Sequence, residues 1–285
     1  IQVRRNLTET VNGSLGYVYS KRDGSSYALA TDFHEDLISP WHIADRNRDK
    51  WRLKLDWTPA DNFTLVGVFE DASDKYPHDA SRPYGMTKGS GNLFSLDATY
   101  QINDAWKLTG FYAYDQQEAD RYHARWQRTG AQIFEGTKTA DLKDKSDTLG
   151  LNLDGKVDSK WKLGGSVLWT KSRSSYNETW DPSGLGADQN RYPTSGGETA
   201  VPLPNITTEL TRLGLYADYA VEKNASLRFD VIYEDWKTND WSYTFSNGQP
   251  FSYGTTGAVA DGTTFTQKTP QQSTYVGLRY KHMLD

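Results

Sequence analysis

Cysteine is absent from all 285 residues, and methionine occurs only twice. Without a thiol the chain can form no disulfide, no thiolate metal site and no covalent attachment to a c-type haem. A cysteine-free chain also fits an oxidising envelope compartment. Long apolar runs are missing too: 36% of residues are hydrophobic, mean hydropathy is −0.76, and nothing approaches the ~18 consecutive apolar residues of a membrane helix. That excludes a helical membrane protein. It leaves a β-barrel open, because barrel strands need only ~9–11 residues with every second one apolar. Basic runs are lacking and the net charge is −5, so no nucleic-acid partner is expected. The glycine-rich phosphate loops, His-Glu-x-x-His and Gly-x-Ser-x-Gly do not occur, and the reading is of a non-enzyme. The chain opens on Ile1 with no charged-then-apolar leader. The expectation is a removed signal peptide or a piece of a longer protein.

Aromatic residues and glycine are plentiful: 10 Trp, 18 Tyr, 10 Phe and 24 Gly. Period-2 alternation dominates and marks ten strands. Their apolar faces run Leu15–Tyr19, Trp51–Trp57, Phe63–Phe69, Phe94–Tyr100, Trp106–Tyr114, Leu149–Leu153, Trp161–Trp169, Leu213–Tyr219, Leu227–Tyr233 and Val276–Tyr280. The alternate positions are mostly polar or small. Short turn-like connections at 58–62, 103–105, 158–160 and 222–224 alternate with long polar ones at 21–47, 71–91, 116–146, 172–210 and 237–272. Loops that long are uncommon in compact soluble domains. Outer-membrane barrels show this asymmetry, with short periplasmic turns and long extracellular loops.

Aromatic placement separates a barrel from a β-sandwich. Near the short turns stand Trp57, Phe63, Tyr100, Trp106, Trp161, Tyr219 and Tyr280; near the long loops stand Tyr19, Trp51, Phe69, Phe94, Tyr114, Trp169 and Tyr233. Trp and Tyr favour both membrane interfaces, whereas a sandwich core has no cause to place them at both strand ends. The fold class is therefore all-β: a transmembrane antiparallel β-barrel of about ten strands, either complete or a segment of a larger one. Both chain ends are expected on the short-turn side. Residues 1–285 read as one domain.

Candidate luminal residues are the charged ones in the polar phase: Arg52, Lys54, Asp56, Lys107, Asp154, Arg228, Asp230 and Arg279. Ordinary solvation of a lumen accounts for them as well as a partner does. The histidines at 34, 42, 78, 123 and 282 are scattered, which suits solvated surface residues better than metal or haem ligands. Acidic residues gather in the long connections at Asp71, Asp74, Glu118, Asp120, Asp141, Asp144 and Asp147. Without a twelve-residue calcium loop they read as a charged outer surface.

Three stretches resemble the MtrB/PioB family, outer-membrane barrels that partner decahaem cytochromes. These are Tyr19-Ser20-Lys21-Arg22-Asp23-Gly24-Ser25-Ser26-Tyr27, then Ala44-Asp45-Arg46-Asn47-Arg48-Asp49-Lys50 leading into Trp51–Trp57, then Ser95–Tyr100 with turn 103–105 and strand Trp106–Tyr114. Tyr275–Tyr280 is similar to that family's closing strand. The resemblance implies an outer-membrane sheath housing a multihaem c-type cytochrome, with a further cytochrome at the loop side. The haem would belong to the partner, leaving no cofactor in this chain. It also implies a C-terminal portion of a barrel of around twice as many strands. The ending Met283-Leu284-Asp285 departs from the aromatic on which such barrels commonly finish. A diffusion porin or substrate channel is the alternative, and a ten-strand outer-membrane enzyme a third reading.

Overall fold

The computed structural model describes residues 1–25, 38–39, 41–78, 80, 82–126, 134–181, 203–240, 251–252, 264–265 and 271–283. Every regular element among them is a strand. In chain order these are β1 (Gln2–Asn6), β2 (Val11–Arg22), β3 (Ile38–Ser39), β4 (Arg46–Ala60), β5 (Phe63–Lys75), β6 (Tyr84–Gln101) and β7 (Trp106–Trp126). They continue as β8 (Phe134–Lys156), β9 (Trp161–Asp181), β10 (Ile206–Glu222), β11 (Ala225–Asn239), β12 (Phe251–Ser252), β13 (Thr264–Phe265) and β14 (Gln271–His282).

One 12-stranded sheet holds almost all of them, in the order β1-β2-β4-β5-β6-β7-β8-β9-β10-β11-β14. Neighbours along this path are antiparallel, as chain-adjacent hairpins dictate. β3 lies off the path and pairs in parallel with the start of β6, Ile38 opposite Tyr84 and Ser39 opposite Gly85. Gly85 has φ +134°, and a Cβ there would lie 2.5 Å from the Ser39 carbonyl oxygen. Only glycine allows both that backbone and that approach. The edges β1 and β14 are not paired with each other.

The ten expected strands are β2, β4 to β11 and β14. β1 is additional: it carries Val3 as its one apolar residue and joins β2 through a turn closed by the Leu7 N–H to the Val11 carbonyl at 2.8 Å. It runs up from that turn, so Ile1 stands beside Tyr17, part-way up the wall, and not at the short-turn side. His282 does lie at that side, opposite Ala225.

The long connections are shorter than the hydropathy pattern suggests. β5 reaches Lys75 and β6 starts at Tyr84, well inside 71–91; β7 and β8 fill most of 116–146; β9 and β10 take both flanks of 172–210; and β11 and β14 enter 237–272. Asp71, Asp74, Glu118, Asp120, Asp141, Asp144 and Asp147 are thus strand residues. β7, β8 and β9 have 21, 23 and 21 residues, about twice the span of a membrane strand. Above the bilayer both faces meet water, so the ladder continues without an alternation that hydropathy could reveal.

The apolar face is turned outward to its surroundings. Leu15, Leu53, Leu151, Val167, Leu215, Phe229, Val276 and Leu278 are all exposed, Leu215 at 65% and Leu278 at 71%. Buried apolar residues among those described are Ala44, Val68, Tyr76, Ala140 and Ala225. Such a set makes no sandwich core. The stabilising burial of this wall lies against lipid.

The ladder also shows its slant. One row of directly opposed residues runs Trp57, Leu65, Ala98, Gly110, Leu151, Val167, Leu213 and Tyr233 across β4 to β11. It begins in the aromatic set at the short turns and ends in the set at the long loops. On individual strands the two sets lie six to eight residues apart, as in Trp51 to Trp57 and Trp161 to Trp169. Rows perpendicular to the strands therefore climb about one residue per strand, which corresponds to a tilt of roughly 30–40° at ~3.3 Å per residue and ~4.8 Å between strands. Cross-strand rings meet on this outward face: Tyr17 with Trp51 at 4.6 Å, and Trp161 with Tyr219 at 4.7 Å.

Candidate functional site: the luminal face

Strand alternation places every second residue on the face opposite the lipid-exposed one. All eight sequence-predicted residues fall there, but in two separate groups. Arg52, Lys54 and Asp56 sit on β4. Arg52 pairs with Glu70 on β5 at 3.2 Å, and Lys54 with Asp56 at 2.7 Å. Lys50 joins Glu70 at 2.5 Å, and Arg48 grips both oxygens of buried Asp74 at 2.6 Å each. The fork-to-fork geometry of that last pair is the strongest form of such contact. The sequence pattern ends β5 at Phe69, which passes over Glu70 and reads Asp74 as an outer-surface acid, whereas both lie on that strand.

The remaining five gather on β7 to β14. Lys107 is directly opposite Asp154, and Arg228 directly opposite Arg279. Tyr216 links the set. Its hydroxyl donates to Asp154 Oδ1 at 2.5 Å, and the Arg228 guanidinium lies 4.0 Å from its ring centre. Arg228 also donates from Nε to Asp230 at 2.9 Å and approaches Asp218 at 3.4 Å. A cation over a tyrosine face, held by two carboxylates, is a mutually neutralised arrangement. Tyr216 has room because Gly164 lies opposite it on β9, where a Cβ would come 2.1 Å from the ring. Alternation alone would have placed Tyr216 in the luminal phase, between Leu215 and Ala217. A search confined to charged residues passes over it.

A second cluster stands at the outer end of β7 to β9, in the same luminal phase. Glu178 accepts from Lys138 Nζ at 2.6 Å and from the Tyr176 hydroxyl at 2.5 Å, and His123 Nε2 is 3.8 Å away. Burial pushes the Tyr176 hydroxyl up to about 12, aided by its bond to Glu178. Burial also lowers His123, more than the Glu178 charge raises it. For Glu178 burial works upward, but the bonds from Lys138 and Tyr176 and the nearby cations outweigh it and hold the carboxyl below its usual range. Among the described residues this is the one carboxylate–histidine pair brought together. At 3.8 Å it is too long for a hydrogen bond, and both Glu178 oxygens serve other donors. It acts as a rim fastening.

Of the other histidines, His78 is tied to the backbone at the Arg82 and Met86 carbonyls, 3.1 and 2.6 Å. His42 packs edge-on to Trp41, and His282 lies by Tyr280. His34 lies outside the described residues. No metal-holding group of three or more His, Asp or Glu occurs among the described residues.

The sheet, its lipid face and its polar lumen agree with comparison to known proteins. Residues 1–284 match the model of the outer membrane beta-barrel porin family MtrB/PioB. The chain belongs to the MtrB/PioB family. Outer membrane protein MtrB of Shewanella baltica (strain OS185) is 23% identical over 242 residues, covering 83% of this chain and 31% of that protein. The MtrB/PioB chain described here thus spans about a third of that relative's length. Among solved structures, the copper transporter OprC aligns with a TM-score of 0.61 at 12% identity, over 97% of this chain and 39% of that one. The unliganded ferric citrate transporter FecA aligns at 0.59 and 12% identity, over 100% and 38%. BauA, the ferric preacinetobactin receptor of Acinetobacter baumannii, aligns at 0.58 and 12%, over 97% and 41%. At these identities the likeness is one of fold: large outer-membrane barrels. This MtrB/PioB chain is a wall of an outer-membrane β-barrel and resides in the bacterial outer membrane.

Proposed function

We propose that this wall is part of a sheath that houses and insulates a multihaem c-type cytochrome, so that electrons cross the outer membrane through the partner's haems. The observation that carries the reading is the luminal face itself, within an MtrB/PioB barrel. It is lined by hydrogen-bonded and ion-paired side chains such as Asp154–Tyr216–Arg228–Asp230 and Arg52–Glu70. A polar wall of that kind suits the polar surface of a folded protein. The redox chemistry would belong to the partner, since this chain has no cysteine for haem attachment. Position and a lipid-proof boundary are what the strands supply.

The wall is completed, in this reading, by further strands at the β1 and β14 edges. In hydrocarbon each unpaired edge group costs several kcal/mol, about what a lost buried hydrogen bond costs. The 31% share of the S. baltica relative leaves room for such strands. Purification of the full-length protein from its native membrane tests the proposal: a haem-staining protein should co-purify in stoichiometric amount. A stable, haem-free barrel would sink it. The family's porin description favours the second reading, a diffusion channel. That reading expects large ion conductance in planar bilayers from the protein as isolated.

A further inference from the structure

The luminal face is markedly basic at its short-turn end. One row of directly opposed residues there runs Lys156, Lys162, Asp218, Arg228 and Arg279 across β8, β9, β10, β11 and β14. Lys156 faces Lys162, and Arg228 faces Arg279. Like charges directly opposite each other destabilise a ladder; Arg228 is offset by Asp218 and Asp230, whereas the Lys156–Lys162 pair has no carboxylate partner among the described residues. Lys160 and Lys281 add to it one level nearer the turns. The six cations line a recess of about 500 Å3 with only two carboxylates, Asp158 and Asp218.

Both carboxylates are already engaged. Asp158 Oδ1 accepts from the N–H groups of Lys160 and Trp161 at 2.7 and 2.8 Å, closing its turn. Asp218 lies 3.4 Å from Arg228. Lys156, Lys162, Arg279 and Lys281 are exposed and form no ion pair among the described residues. The next outward row is Trp161, Tyr219, Leu227 and Tyr280, so the cluster is level with the periplasmic aromatic girdle, at the mouth of the lumen.

We propose that this recess docks a carboxylate-rich segment of a protein that enters the lumen from the periplasmic side. The proposal rests on the reading that a protein occupies the lumen. From Lys156 to Arg279 the row crosses four strand spacings, about 19 Å at ~4.8 Å each. That width suits carboxylates spaced along a segment better than a single small anion. Occupancy would also relieve the Lys156–Lys162 pair, so the ladder is stabilised when the site is filled.

The test uses the full-length barrel in lipid nanodiscs, stripped of co-purifying protein by high salt, with a fluorescent hexaglutamate peptide as probe. The peptide should bind, and its affinity should fall steeply as salt rises. The double variant Lys162→Gln/Arg279→Gln should bind at least tenfold more weakly. The charge-preserving pair Lys162→Arg/Arg279→Lys and the variant Lys237→Gln, at the far end of β11, should bind as the parent does. Absence of peptide binding, or an unchanged affinity in a folded glutamine variant, overturns the proposal. So does displacement of the peptide by inorganic phosphate at equal concentration, which would mark a small-anion site. A haem stain before stripping examines the sheath separately, so either idea can fail while the other stands.

Discussion

Tyr216 on β10 ties the luminal faces of β8 and β11 together. Its hydroxyl serves Asp154, its ring carries Arg228, and its footprint exists because Gly164 has no side chain. Tyr216→Phe should remove only the hydroxyl bond and cost about 1 kcal/mol. Gly164→Val should cost more, on the order of 1–3 kcal/mol, because the ring must leave its place and release both partners. Both shifts can be read from the temperature at which the barrel loses its compact mobility in detergent gels, with the valine variant the lower. The charged members of this network were legible from alternation. Tyr216 was not, since nothing in a lone tyrosine's position tells a ring beneath an arginine from one that is merely inward-facing.

At the scale of strands, the lipid-facing and outer portions of one ladder obey different physics. Leu215 is 65% exposed on the outer face of β10. Leu215→Arg should destabilise the barrel by about 2–4 kcal/mol near the bilayer midplane, whereas Ser166→Arg on the luminal face of β9 should cost far less. A soluble sheet would tolerate the first change; refolding into liposomes at graded urea distinguishes the cases.

Beyond the girdle, the Tyr176–Glu178–Lys138–His123 fastening sets a pH window. His123 is lowered from 6.5, so the stability it lends is present above that value and lost as pH falls through the folded value. Glu178, lowered from 4.5, adds a further loss at more acid pH. Tyr176, raised from 10.0 to about 12, keeps its share below pH 10 and loses it as pH rises toward 12. Hydrogen exchange across the outer halves of β7 to β9, corrected for intrinsic rates, should be slowest between about pH 7 and 10. Protection that does not change between pH 7.5 and 5 would refute this account.

These outer halves are also where the sequence was least readable. From Gln116 to Arg121 β7 carries polar residues on both faces apart from Ala119, and the facing stretch of β8 is similarly charged. Water on both sides removes the alternation that marked Trp106 to Tyr114. β1 escaped notice for a related reason, as a five-residue edge strand with one apolar side chain. The ten membrane strands, by contrast, were all visible, because lipid on one side and a polar lumen on the other force an alternation that sequence displays directly.

At the scale of the molecule, a lumen filled as proposed should make the polar wall and the protein inside it act as one electrical barrier. With its partner in place the full-length barrel should pass little ion current in a planar bilayer, and stripping the partner with salt should raise the conductance severalfold. Equal conductance before and after stripping would count against a filled lumen.

The slanted row from Trp57 to Tyr233 bears on how such a wall can close. Because each neighbour is offset from the last, the chain winds like a spiral stair. The strand that meets β14 cannot arrive level with it, and the seam must absorb the whole accumulated climb. Ring size and seam offset are therefore tied together. Inserting one extra hairpin would do more than widen the lumen: it would change the offset at the seam, so wider members of this architecture must gain strands and re-match their closing edges together.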